Sequence, residues 1–314
     1  MSPIQEFRSS MKFQSGRWTV IALAIAFATA SGSVSAAGLD FQGMKVEVIG
    51  KGRPLLMIPG LNSSADVWRE TCQALQPEVQ CHILQLPGFA GQAPVHEERW
   101  LDAMRDRVLA YADHAKLKHP DVIGHSLGGF LGLELSIKAP ERFGHVVIVD
   151  SLPFLGGARD PNATADSVRP MAEGMRAGMR AADEASYKVQ LRSSVVSLTN
   201  HAERVPTLAA WGEASDRHTT TQAMYELMTT DLRSSLGGTK TPTLVLGSWA
   251  AYRPYGATQA STRAIFEQQY AAHPGVRIKL SDTGYHFLMW DDPKWLQQQV
   301  REFLALPAVA TSTP

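Results

Sequence analysis

The residues of this chain best placed to do chemistry are Gly124-His125-Ser126-Leu127-Gly128-Gly129. They follow a short apolar piece, Asp121-Val122-Ile123, that reads as a strand. They open a small-residue stretch, Phe130 to Ala139, that predicts a helix. A serine at the centre of G-x-S-x-G, between strand and helix, sits on a tight turn with its hydroxyl clear of the backbone. The flanking glycines fit a turn too close for side chains. A seryl hydroxyl is a weak nucleophile and needs a base to take its proton. Of the ten histidines, His286 is the candidate base, on a loop introduced by Gly284 after the last predicted strand. His125 adjoins the serine, but alternation along the strand points it to the other side of the turn. With His145 and His273 it is assigned a structural place.

Other chemistries find no support in the residues. There is no H-E-x-x-H and no paired C-x-x-C, so no metal pattern is read. No phosphate loop or dinucleotide fingerprint appears, and the expected chemistry uses no cofactor. Thirty Lys and Arg balance thirty Asp and Glu. That balance gives no nucleic-acid footprint and fits a small, uncharged or weakly charged ligand. The only two cysteines, Cys72 and Cys81, are nine apart, one in a predicted helix and one at the start of a predicted strand. The spacing suits a short disulfide if the chain is exported, and two buried thiols otherwise.

The elements that must position these residues alternate along the chain. Arg8, Lys12 and Arg17 precede an apolar run from Trp18 to Ala30, and small residues end at Val34-Ser35-Ala36. This order reads as a secretory signal peptide over 1–36, whose apolar run is short for a membrane span. Strands are predicted at Met44–Ile49 (an edge strand), Pro54–Ile58, Cys81–Leu86, Val122–Ile123, Val146–Val149, Thr243–Leu246 and Val276–Leu280. Helices are predicted at Ser64–Leu75, Arg99–Leu117, Ser261–Ala272 and Pro293–Leu304. The expectation is an α/β fold: a mostly parallel central sheet with helices on both faces. From 151 to 235 no strand-like run appears, and the segment reads as a helical cap inserted between sheet strands. The core is then expected over 37–150 and 236–306, with a disordered tail over 307–314.

Four stretches, in order, resemble the α/β-hydrolase fold family, in its branch with a helical cap. They are Leu56-Met57-Ile58-Pro59-Gly60-Leu61, Leu86-Pro87-Gly88-Phe89, the Ser126 turn, and Gly284-Tyr285-His286-Phe287 with Asp291, Asp292 and Pro293 behind it. Two departures stand out: no histidine precedes Gly60, and Leu86 replaces an acid. The resemblance implies a Ser-His-acid triad. The family's usual acid loop is vacant here, because 247–255 holds no Asp or Glu. Some members carry the acid one strand earlier, where Asp150 ends Val146-Val147-Ile148-Val149. Asp150 is therefore the expected acid, with Asp216 and Asp282 as alternatives.

The same resemblance assigns the oxyanion hole to the N–H groups of Leu61 and Leu127. Asn62 either adds a side-chain amide or caps the next helix. Trp249, Tyr252 and Tyr255 are candidates for a substrate wall. Met171, Met175 and Met179 form a row that either packs the cap onto the core or lines an acyl pocket. Trp290 is expected buried against the histidine loop. The function implied is an exported (periplasmic or secreted) serine hydrolase acting on a carboxylic ester or lactone. Amide, peptide or carbon–carbon bond hydrolysis, or an inactive relative that binds a small ligand, are the alternatives.

Overall fold

The computed structural model describes residues 38–307; the expected signal peptide and all but the first residue of the expected tail lie outside them. Eight strands form one sheet: β1 (Leu39–Phe41), β2 (Met44–Ile49), β3 (Arg53–Ile58), β4 (Val79–Gln85), β5 (Asp121–His125), β6 (Val146–Val149), β7 (Thr243–Ser248) and β8 (Arg277–Ser281). Their spatial order is β1-β2-β4-β3-β5-β6-β7-β8. β1 and β2 pair antiparallel, as do β2 and β4, and the remaining pairs are parallel. The helices are α1 (Arg69–Ala74), α2 (Trp100–His114), α3 (Leu127–Lys138), α4 (Ala165–Ala181), α5 (Glu184–Val195), α6 (Val205–Glu213), α7 (Arg217–Thr229), α8 (Gln259–Gln269), α9 (Leu288–Asp291) and α10 (Pro293–Phe303).

Alternation divides the core in two. On one sheet face Leu56, Ile58, Val122, Val146, Ile148 and Val245 pack against residues of α2, α3 and α8. On the other, Leu55, Met57, Ile123, Val147, Val149, Leu244 and Leu246 pack against residues of α1, α9 and α10. Side chains along a strand point alternately to the two faces, so a central parallel strand covered on both sides reads as an unbroken apolar run. β6, Val-Val-Ile-Val, is the plainest instance.

Two expectations change. Met44–Ile49 is not the sheet edge, because β1 pairs outside it, Phe41 opposite Met44. The predicted helix from Ser64 begins as a 3₁₀ turn, Ala65–Trp68, before α1; Ser64 caps it, its Oγ accepting from Asp66 N at 3.1 Å.

Residues 151–235 hold α4 to α7 and no strand. This helical insertion is tied to loops at the C-terminal ends of the parallel strands. Asp216 N donates to Gly88 O at 2.7 Å and Ala90 N to Ser215 Oγ at 2.9 Å, beyond β4. Phe287 N donates to Leu198 O at 3.0 Å, beyond β8. Ligands of open parallel sheets bind at this edge. The methionine row is not what seats the insertion. α4 buries Val168 and Ala172 and stacks the Arg176 guanidinium 3.8 Å from the Tyr225 ring centroid on α7. Met171 and Met175 are exposed, because the contact with α7 uses the neighbouring helical face.

Candidate active site

Ser126 stands between β5 and α3 at φ 53°, ψ −116°. A non-glycine residue rarely adopts such a backbone, which persists only where its surroundings over-determine it. Ser126 N donates to Val149 O at 2.8 Å, and Phe130 N closes the first helical turn on Ser126 O at 3.0 Å. The flanking glycines are required by close approach. A Cβ on Gly124 would lie 2.1 Å from Gly128 O, and one on Gly128 would lie 2.2 Å from Ile58 O.

His286 and Asp150, 136 residues apart, meet: His286 Nδ1 lies 2.6 Å from Asp150 Oδ2. Asp150 follows β6 at φ 47°, so the chain turns out of the strand there. Ser248, at the end of β7, holds the carboxylate through its N–H on Oδ1 at 2.7 Å and its hydroxyl on Oδ2 at 2.9 Å. A carboxylate only accepts, so Nδ1 of His286 carries the proton and Nε2 is the basic nitrogen of the neutral ring. The alternative acids are engaged elsewhere. Asp216 caps α7, taking Thr219 N at 2.7 Å. Asp282 takes Gln259 Nε2 at 2.8 Å and Trp249 Nε1 at 3.3 Å. Ser248 is the residue that sequence reasoning missed; nothing but its place on the strand beside Asp150 marks it.

His125 does not point away from the site as alternation suggested. β5 continues through His125 and the chain turns only at Ser126, so the ring is buried with its centroid 4.5 Å from that of His286. Its Nε2 lies 2.9 Å from His286 O. A carbonyl oxygen only accepts, so Nε2–H donates. Burial first, then the neighbouring His286, hold its pKa well below the ordinary histidine value, so the ring is neutral. Its Nδ1 has no partner among the described residues.

The loop after β3 closes the other side. A Cβ on Gly60 would fall 2.9 Å from His125 Nδ1 and 3.2 Å from Ser126 Cβ, so Leu61 follows directly beside the serine. Leu127 is the first residue of α3, one of the helix positions with no intrahelical acceptor for its N–H. Asn62 is not the cap of the next helix, which is Ser64. It sits at φ 59°, and its Oδ1 accepts from Thr220 Oγ1 of α7 at 2.6 Å. The histidine loop is braced through Asp291, which takes Thr199 Oγ1 at 2.5 Å and Tyr285 N at 2.9 Å. Trp290 is buried and stacked on Phe287, ring centroids 5.1 Å apart.

The aromatic candidates separate. Tyr255 is 85% exposed. Trp249 is half-buried, with the Arg253 guanidinium 4.6 Å from its ring centroid. Tyr252 is exposed, and its hydroxyl is pushed up by desolvation and then by the charge of Asp150. Among the described residues no group of His, Cys, Asp and Glu is arranged to hold a metal ion.

An eight-stranded, mostly parallel sheet with a serine on its strand–helix turn defines the class. The sequence profile of the Alpha/beta hydrolase family matches residues 55–298, and the chain belongs to this family of enzymes. Among curated relatives, a pimeloyl-[acyl-carrier protein] methyl ester esterase of Vibrio campbellii is 31% identical over 110 residues, 35% of this chain and 41% of that protein. The match thus spans well under half the length of that esterase. A putative carbamate hydrolase, RutD, of Rhizobium rhizogenes is 26% identical over 273 residues, 83% of this chain and 97% of its own. Among solved structures, the enol-lactonase from Burkholderia xenovorans has a TM-score of 0.68 at 16% identity, covering 86% of this chain and 100% of that one.

Proposed function

We propose that this chain hydrolyses carboxylic esters, lactones among them, with Ser126 as nucleophile, His286 as base and Asp150 as the acid behind it. The observation that carries the reading is the 2.6 Å contact between His286 and Asp150 beside the strained Ser126 turn. In this reading His286 Nε2 takes the Ser126 proton as Oγ attacks the carbonyl. The oxyanion is held by the N–H groups of Leu61 and Leu127. The alcohol leaves with the proton from His286, giving an acyl-enzyme. Water, deprotonated by His286, then releases the acid. Among the described residues Ser126 Oγ makes no direct hydrogen bond to His286; such contacts often tighten only when substrate binds. Tyr252 is proposed to line the acyl or alcohol side.

The test is a fluorophosphonate probe with a panel of p-nitrophenyl esters of graded chain length. The chain is expected to be labelled and to turn esters over, and Ser126→Ala to do neither. A wild-type chain that stays unlabelled sinks the reading in favour of a ligand-binding relative. An aryl carbamate belongs in the panel, because the putative carbamate hydrolase is similar over nearly its whole length. Carbamate turnover exceeding that of every ester would shift the assignment. We also propose export to the periplasm or beyond, supported by the basic and apolar order of residues 8–36 and by the joined Cys72 and Cys81. The intact mass of the secreted protein tests it, with cleavage after Ala36 expected.

A further inference from the structure

We propose that a cavity on the side of the molecule formed by α2, α3, α4 and α7 is a second ligand site, one for a protonated primary amine. The cavity measures about 370 Å³, and its lining carries four carboxylates, Glu98, Asp102, Glu134 and Glu226, against two guanidinium groups, Arg99 and Arg169. The balance of charge is negative, and most members are already committed. Arg99 and Arg105 both pair with Asp102. Arg169 pairs with Asp166 at 2.9 Å. Glu226 caps α2 from across the interface, taking Trp100 N at 2.8 Å and Leu101 N at 2.7 Å.

Glu98 is exposed, and Glu134 is the buried exception. It lies eight residues past Ser126, on α3, is 6% exposed, and its Oε2 has no hydrogen-bond partner among the described residues. A buried polar atom without a partner costs free energy, and a buried charge without one costs more. Burial pushes its carboxyl up to about 7, against the pull of Arg105. Oε2 itself is enclosed, but a cationic occupant against the lining side of this carboxylate lowers the cost of its charge.

The occupant follows from the geometry. The acids do not converge as metal ligands. An ammonium is a compact charge with three donors, suited to single oxygens on separate elements, whereas a guanidinium wants one planar carboxylate. Leu101 and Tyr225 supply apolar surface for a short alkyl chain. The site joins core helices to the insertion and touches none of the residues assigned to ester hydrolysis.

The test is calorimetric titration of the full chain at pH 8 with n-butylamine, with butan-1-ol and potassium chloride as controls. Saturable binding of the amine alone is expected, unchanged in Ser126→Ala. Glu134→Gln keeps the shape and removes the charge, and is expected to weaken binding by roughly tenfold or more. Thr230→Trp adds bulk at another lining position, at the end of α7, and is expected to abolish it. Far-UV circular dichroism and ester turnover near wild-type report that both variants fold. No saturable binding to the wild-type chain, equal affinity in both variants, or equal binding of butanol or potassium overturns the proposal.

Discussion

Asp150 is fixed from two sides, by Ser248 and by His286, and this sets what a substitution there should do. Asp150→Asn keeps the shape but cannot stabilise an imidazolium, and its amide can favour the wrong tautomer. A loss of roughly 10³- to 10⁴-fold in kcat is expected, with KM little changed; steady-state kinetics on a p-nitrophenyl ester measures it. His125 acts through His286, as a positioning residue. His125→Phe keeps a buried ring but loses the Nε2–H held on His286 O. A fall of about tenfold in kcat is expected, the scale of one hydrogen bond, with partial rescue by His125→Gln, whose amide can donate. Equal kcat in all three proteins would make the contact mere packing. Glu134 predicts a pH dependence of stability. Its folded-state value, about 7, lies above the ordinary 4.5, so the folded protein holds that proton more tightly than the unfolded one. Stability is therefore undiminished below about pH 4.5 and falls as pH rises to about 7. Glu134→Gln should exceed the wild-type chain by about 2–3 kcal/mol at pH 8 and match it at pH 4, by urea denaturation.

Among the elements, the link between α1 and β4 is where a covalent bond matters. Cys72 and Cys81, nine residues apart with Cα atoms 6.1 Å apart, are joined. Closing so short a loop restricts the unfolded chain, so replacing both cysteines by serine should cost about 2–3 kcal/mol, read as a lower urea midpoint at unchanged activity. Elements were legible in the sequence where pattern was local. Val146–Val149 appears with the predicted bounds because four apolar residues in a row make a doubly covered strand. α10 appears because Pro293 opens it and Leu296 and Val300 share a buried face. What stayed hidden depended on partners distant in the chain. β1 is three residues long and exists only through its register with Met44, Lys45 and Val46. The facing of His125 turned on where β5 ends, at His125 and not at Ile123 as predicted. The methionine row of α4 was a correct period on an unknown face, since the buried face holds Val168 and Ala172 instead, Val168 against Phe154 and Ala163. The proposed site residues Ser126, His286 and Asp150 were legible as types and order; that Ser248 holds the Asp150 carboxylate was not.

At the scale of the whole described fold, the helical insertion and the sheet are coupled through the loop that carries Leu61. Thr220 Oγ1, on α7, donates to Asn62 Oδ1 at 2.6 Å, and Asn62 is held at φ 59° immediately after Leu61. The neighbouring ties, Asp216 N to Gly88 O at 2.7 Å and Gly91 N to Ala214 O at 3.0 Å, are backbone bonds that keep α7 in place without Thr220. Thr220→Val therefore removes one side-chain bond while leaving the seat of the insertion intact. The bond's net worth is about 1 kcal/mol, so the fold survives. What changes is how firmly the backbone of Leu61, the proposed oxyanion donor, is held. An N–H that must meet charge developing in the transition state gains from being fixed beforehand. The expected outcome is a fall of roughly three- to tenfold in kcat with KM nearly constant, because ground-state binding does not draw on that donor. A rise in KM at constant kcat would instead place Thr220 and Asn62 in substrate binding and remove the coupling argued here.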